Sequence, residues 1–241
     1  MILCVIGICS ILAGVIQTIT GFGSGIVLIA VLVRYYSMVT APAINTSVTL
    51  GLTVALSWKY RKSIDLRLIA VPVIVYMAAS VGVISIVEYI NLNTLAILFG
   101  VFLVALSVYF LLYADKVTVK TGRLSAVLCS FVSGIFSGLF GIGGPVISLY
   151  MLVATNDRES YVANLQLLFA LTNVANMCAR IYRGIYTVDL IPVTVLGIIG
   201  INLGKWIGIS VADRLNTEWI KRIVYLFVGV SGVTTLIQHL T

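Results

Sequence analysis

Long apolar stretches alternate with short polar connectors along the whole chain. The stretches run near 2–33, 42–58, 66–87, 94–113, 124–153, 160–179, 188–211 and 219–238. Most approach the length of about 20 residues that a helix needs to cross a bilayer's hydrocarbon core. A stretch that is apolar on every side predicts a helix in lipid, because a helix satisfies its own backbone groups there. The longest connector, 115–123, separates a first transmembrane unit over 1–114 from a second over 124–241, with four segments in each. The pattern predicts an all-α integral membrane fold.

The first segment of each unit is different. Both run about 30 residues, and both are interrupted, by Gly21-Phe-Gly-Ser-Gly25 and by Gly141-Ile-Gly-Gly-Pro145. Clustered glycine opens a helix because it favours non-helical backbone and loses the most entropy when fixed. Pro145 suits the first turn of a new helix, where its missing N–H is not needed. Each segment therefore reads as half-helix, break, half-helix. Unpaired backbone at membrane depth is tolerated only inside protein or beside a watery cavity. Paired broken helices mark the binding site in transporters built from repeats. Gly200, Gly204 and Gly208, spaced by four, read instead as close helix packing.

The two units echo each other in order. Gly14, Gly21 and Gly23 recur 120 positions on as Gly134, Gly141 and Gly143. Ser63-Ile-Asp-Leu is matched by Thr187-Val-Asp-Leu, and Asn93-Thr94 by Asn216-Thr217. An internal repeat is the economical reading.

Composition agrees. The 241 residues are 61% hydrophobic and only 10% charged, whereas soluble domains carry about 25% charged residues. The net charge of +7 comes with no basic stripe or aromatic platform, so nucleic acid is not an expected partner. The basic residues sit in the connectors, where they set topology. If all eight segments cross, they split nine against five. If both broken segments return to the side they entered, the split becomes eleven against three, with only Arg34, Arg180 and Arg183 in the minority. The second arrangement predicts re-entrant first segments, three crossings per unit, inverted repeats, and both chain ends outside the cytoplasm. No basic residue precedes Ile2, which argues for a first helix that is kept rather than a cleaved signal.

Candidate binding groups follow from the breaks. A half-helix N-terminus presents unpaired N–H groups and a partial positive charge, so it attracts anions. Gly21, Gly23, Ser24 and Gly25 supply one such end; Gly141, Gly143, Gly144 and Pro145 supply the other. Ser24 adds a hydroxyl on one side only, which predicts an asymmetric site. In the second segments, Asn45, Thr49 and Thr53 share a helix face at spacings of four. Gln166, Asn173 and Arg180 recur every seven, with Asn176 on an adjoining strip. Such groups are expensive in lipid and face the protein interior, as cavity lining or as interhelical bonds. Arg180 and Lys205 lie near enough to segment ends to snorkel. Trp58, Trp206, Trp219 and several tyrosines read as an interfacial belt.

Other chemistry finds little support. Cys4, Cys9, Cys129 and Cys178 form no CxxC spacing and read as small buried hydrophobes. The single histidine, His239, lies three residues from the end, so no metal site or cofactor is expected. No mid-membrane carboxylate pair or nucleophile beside a base is visible, which argues against an enzyme.

Gly134-xxx-Gly138-xx-Gly141-Ile-Gly-Gly-Pro145 and its weaker copy around Gly14–Gly25, with Ala163-Asn-Leu and Gly184-Ile-Tyr-Thr-Val-Asp189, resemble the TauE/SafE family of membrane proteins. The resemblance covers the whole chain. It implies a bacterial or archaeal cytoplasmic membrane and sulfite, sulfonates or other small sulfur-containing anions as cargo. The combined expectation is a secondary transporter moving a small anion by alternating access. The partners are the lipid bilayer and the anion, with room left for a homodimer. An anion channel of the same architecture and a non-transporting membrane component are the rivals.

Overall fold

The computed structural model describes residues 2–112, 122–211 and 217–240, the side chains of 211 and 217–224 excepted. The connector 115–121 and the residues Asp213 and Asn216 lie outside the described set, and the side chain of Trp219 is likewise not described. The described chain is helical. In order, the helices are α1 (Ile2–Thr20), α2 (Ser24–Leu32), α3 (Thr40–Lys59), α4 (Leu66–Ile86), α5 (Leu92–Leu112), α6 (Arg123–Phe140), α7 (Gly144–Ala154), α8 (Arg158–Tyr182), α9 (Ile191–Val211) and α10 (Thr217–Leu240). Among the described residues, six helices are long and apolar enough to cross a membrane: α1, α4, α5, α6, α8 and α9.

Both glycine clusters break the helix. α1 stops at Thr20 and α2 starts at Ser24; α6 stops at Phe140 and α7 starts at Gly144. The pieces are unequal, however, where the sequence predicts halves. At 1.5 Å per residue, α1 is about 28 Å long and α2 about 14 Å. The reason is that Gly14 and Gly134 do not open their helices. They let a neighbour approach instead. A Cβ at Gly14 would lie 2.1 Å from the Ile201 carbonyl oxygen, and one at Gly134 would lie 2.6 Å from that of Tyr76. The predicted packing glycines answer from α9, where a Cβ at Gly204 would lie 2.0 Å from the Ile11 oxygen.

α3 is not among the six apolar helices although it has 20 residues. It sits inside the bundle, packed on α2, α8 and α9. Its buried Asn45, Thr46, Ser47, Thr49, Thr53 and Ser57 therefore never meet lipid. Several of these hydroxyls return to their own helix, Thr46 to the Pro42 oxygen and Thr49 to the Asn45 oxygen, both at 2.8 Å. α8, one of the six, is likewise largely buried inside the bundle and is capped at its start by Asp157, which accepts from the Ser160 N–H at 2.9 Å. That bond and the Ser160 hydroxyl hold the Asp157 carboxyl below its ordinary range.

The outer faces carry the reverse pattern of a soluble protein. Ile8, Leu12, Ile74, Leu128, Ile199 and Trp206 are all exposed, and contiguous apolar surface of this kind needs a non-aqueous neighbour. The cysteines depart from expectation: all four are free, but Cys4 and Cys178 lie on the exposed surface. A thiol is apolar enough for lipid to accept it.

The strongest packing pairs are α1 with α9, α5 with α10, α4 with α6, and α3 with α8. Exchanging each helix for the one five places away turns α1·α9 into α6·α4. It likewise turns α3·α9 into α8·α4, and α2·α3 into α7·α8. All six pairs are present, and α5·α10 and α3·α8 map onto themselves.

Candidate functional site

The two helix breaks meet. Asn45 of α3 reaches between them, its Nδ2 donating to the carbonyl oxygens of Gly25 and Gly141, each at 3.1 Å. A Cβ at Gly25 would stand 3.2 Å from the Gly141 oxygen, and one at Gly144 would stand 3.3 Å from Cβ of Phe22. Backbone passes backbone here because glycine leaves the space. Gly21 (φ 86°) and Gly141 (φ 68°) take the left-handed conformation that ends α1 and α6. The next corner is not symmetric: Gly23 has φ 105°, Gly143 φ −111°.

Between the breaks lies a cavity of about 40 Å³. Gly23, Ser24, Gly25 and Ile26 line it from the start of α2, and Gly143, Gly144 and Pro145 from the start of α7. Thr49 and Thr53 of α3, Asn173 of α8, Tyr76 of α4, Gln17 of α1 and Ser137 of α6 complete the polar wall. Among the described residues, no charged side chain lines it. Neither α2 nor α7 has a side-chain cap. Among the described residues, the N–H groups of Ser24, Gly25 and Gly144 find no acceptor. These are the orphan donors that any helix start leaves, and here two sets face one space. The volume holds a water or a few.

The structure sorts the residues singled out from the sequence. Gly23, Ser24, Gly25, Thr49, Gly141, Gly143, Gly144, Pro145 and Asn173 line the cavity. Asn173 Nδ2 lies 3.4 Å from Thr49 Oγ1, so the two central helices touch through a polar pair. Gly21, Asn45, Gln166 and Asn176 are spent on neighbours. Gln166 Nε2 donates to the Gly21 oxygen at 2.6 Å, while its Oε1 accepts from Gln17 Nε2 at 2.9 Å. Asn176 accepts from Ser80 Oγ at 2.6 Å and donates to Ser137 Oγ at 3.0 Å. Asn45 retains one buried unpartnered atom, Oδ1.

Three polar residues of the wall, Gln17, Tyr76 and Ser137, are not singled out by the sequence. Gln17 receives the Ser24 hydroxyl and so ties α1 to α2 across the break. An amide in an otherwise apolar segment was the available signal. Tyr76 and Ser137 carried none, since Tyr and Ser occur throughout membrane helices. Arg180 corrects an expectation. Instead of snorkelling it is buried, with 1% of its surface exposed, and its Nη2 donates to the Gly138 oxygen at 2.9 Å. Lys205 is half-buried, its Nζ 5.6 Å from the Trp206 ring centre and away from the cavity wall.

A wider cavity of about 340 Å³ lies at the α7–α8 turn, lined by Ile19, Thr20, Thr155, Asn156, Asp157, Arg158 and Tyr161. Tyr161 separates it from the first break: a Cβ at Gly21 would lie 2.7 Å from Tyr161 Cε1.

The family described as "Sulfite exporter TauE/SafE" matches residues 6–235. A "Probable membrane transporter protein MJ0441" of Methanocaldococcus jannaschii is 26% identical over 162 residues, which cover 63% of this chain and 61% of that protein. The aligned region thus spans less than two thirds of that relative. No solved structure matches the chain.

Proposed function

Because this chain belongs to the TauE/SafE family, a family of multi-pass membrane transporters, we propose that it is a secondary transporter moving a small anion across the cytoplasmic membrane. Sulfite, a sulfonate or another sulfur-containing anion is the cargo the family description favours. The observation that carries the proposal is the convergence of two uncapped helix starts on one cavity without a charged wall. Orphan N–H groups and helix dipoles there favour an oxyanion without a buried cation's cost. Asn173 adds an amide donor, and the Thr49 and Ser24 hydroxyls can turn toward it from their present acceptors on Asn45 and Gln17. Asn45, Gln166 and Asn176 hold the walls in register.

The small volume of the cavity supports alternating access. Admitting even a four-atom oxyanion requires the two breaks to part, which suits a carrier that is closed between openings. The exchange symmetry of the packing pairs supports two repeats over 1–114 and 124–241, inverted as the basic residues suggest, with α2 and α7 as re-entrant pieces. This arrangement puts both ends outside the cytoplasm. A carboxy-terminal alkaline phosphatase fusion is then expected to be active and a fluorescent protein fusion dark in a bacterial host. The opposite pair of results would overturn the topology.

Purified protein in liposomes tests the function. Efflux of labelled sulfite or taurine is expected to saturate, and unlabelled anion outside is expected to accelerate it by exchange. Flux that stays linear in concentration with no exchange would make the protein a channel. No flux of any anion would sink the proposal.

A further inference from the structure

Arg180 is the least explained residue in the bundle. A guanidinium carries five N–H donors. Nη2 serves the Gly138 oxygen at 2.9 Å and, more weakly, the Ser137 oxygen at 3.4 Å. Nε and Nη1, with three N–H between them, are buried and unpartnered. No carboxylate answers the charge: among the described residues the ion pair observed is Arg183 with Glu88, at 2.7 Å. Buried cations ordinarily have a partner, because desolvation is costly without one.

Capping α6 accounts for only part of this. A cation at a helix C-terminus is favourable, yet the cap uses one nitrogen of three. The first half of the chain shows that the fold does not need it. The spacing of 124 that aligns Asp65 with Asp189 also aligns α3 with α8. At that spacing Ile44, Val48 and Leu52 correspond to Leu168, Thr172 and Asn176, all 0% exposed. Arg180 then corresponds to Leu56, and each is 1% exposed. Leucine thus stands at the aligned position in α3, and arginine stands in α8, where it meets the carbonyls at the end of α6.

The guanidinium stands just behind the cavity wall. Ser137, whose carbonyl it touches, lines the central cavity, and Asn173, two turns earlier on the same face of α8, lines it too. We propose that Arg180 forms a second anion subsite, which takes the sulfur oxyanion as it passes Ser137 on its way into or out of the central cavity. The inference rests on the anion-transport reading and adds a fixed positive charge to a site that otherwise holds only neutral donors. The three free N–H groups match an oxyanion's several acceptors. In the first half Leu56 offers nothing comparable, so the path is polarised toward the second half.

The test is titration calorimetry of the full chain in detergent with sulfite, sulfate and taurine, on wild type, Arg180→Gln and Arg180→Lys. Arg180→Gln is expected to bind the preferred anion about 10- to 100-fold more weakly, with Arg180→Lys between it and wild type. The anion-free melting temperature of Arg180→Gln should hold or rise, since an uncompensated buried charge has been removed. Equal affinity in wild type and Arg180→Gln overturns the subsite and leaves the transport reading standing. No binding of any anion by wild type defeats that reading and the subsite with it. Should Arg180→Gln fail to fold, wild type labelled with 15N at arginine Nε carries the test. The Arg180 resonance, identified by its loss in Arg180→Lys, is expected to shift with the anion, and a resonance that stays fixed overturns the proposal.

Discussion

Asn45→Asp is expected to abolish transport while changing almost no volume. Asn45 Nδ2 is the single donor that serves both Gly25 and Gly141, at 3.1 Å each. Aspartate at neutral pH replaces that donor with a second acceptor, aimed at two carbonyl oxygens inside protein. The Gly25 carbonyl keeps its place in the α2 ladder, but leaving the Gly141 carbonyl unmet costs about 1–3 kcal/mol, and the buried carboxylate adds to this or is forced to stay protonated. The loss of stability should therefore reach about 3 kcal/mol or more, read as a lower melting temperature in detergent. Asn45→Ala should lose less, because it removes the donor without adding an acceptor. The comparison separates Asn45 as a brace from Asn45 as a ligand. A brace loses stability in both variants, whereas a ligand would lose anion affinity with the melting temperature intact.

Gly143→Leu is expected to have the second large effect, and for a reason the sequence did not contain. Read as a string, Gly143 belongs to the break, and a bulky residue there predicts lost transport with normal insertion. In the fold its Cα faces α4: a Cβ would lie 1.9 Å from the Tyr76 oxygen and 2.6 Å from the Ser133 carbonyl oxygen. Tyr76 is 2% exposed, and the central cavity it lines is the space beside it. Even alanine must push the ring or open the α4–α6 contact, and overpacking of this kind costs about 1–3 kcal/mol or more. The expectation is therefore reduced folded yield as well as lost transport. Gly82, in α4 with nothing within 4 Å of a new Cβ, is the control. Gly82→Ala should retain transport and gain up to about 1 kcal/mol of helix propensity.

What the sequence made legible was the part governed by local rules. Lipid-length apolar runs became helices, and glycine clusters became breaks at Gly21–Gly23 and Gly141–Gly143, because helix propensity and backbone freedom act within a few residues. Positions spaced by four on α9 packed on α1 for the same reason. The roles of the interior polar residues were not legible. Periodicity places Asn45 and Asn173 on inward faces of their helices, but only the third dimension shows that one meets carbonyls and the other a cavity. Arg180 shows the limit most clearly. Its place near the end of α8 suggested a route to water, but the carbonyls of Ser137 and Gly138 lie across from it because α6 happens to stop there.

The unequal lengths of α1 and α2 matter for mechanism. A helix of about 28 Å followed by one of about 14 Å gives the first unit a long member and a short one, and α6 and α7 repeat the inequality. α1 is held by close backbone contact with α9 through Gly14 and Gly204, and α6 by Gly134 and Gly138 against α4. The short helices are buried in the apolar core through Ile26, Leu28, Ile29, Ile147 and Met151, while the start of α2 is also held by the Asn45 brace and the Ser24–Gln17–Gln166 chain of hydrogen bonds. Motion confined to α2 and α7 would open the cavity while those close-packed pairs stay together.

The most direct measurement of the central claim is the melting temperature of the purified protein in detergent across sulfite, sulfate, thiosulfate, taurine, sulfoacetate, simple carboxylates, and cationic or neutral solutes. A ligand that binds only the folded state stabilises it in proportion to the logarithm of its concentration over its dissociation constant. The account predicts a concentration-dependent rise with at least one sulfur oxyanion or sulfonate, and its loss in Asn45→Asp protein that still folds. A rise with a cation or a neutral solute and with no anion would contradict it, leaving the helices in place and the two facing helix starts without their assigned ligand.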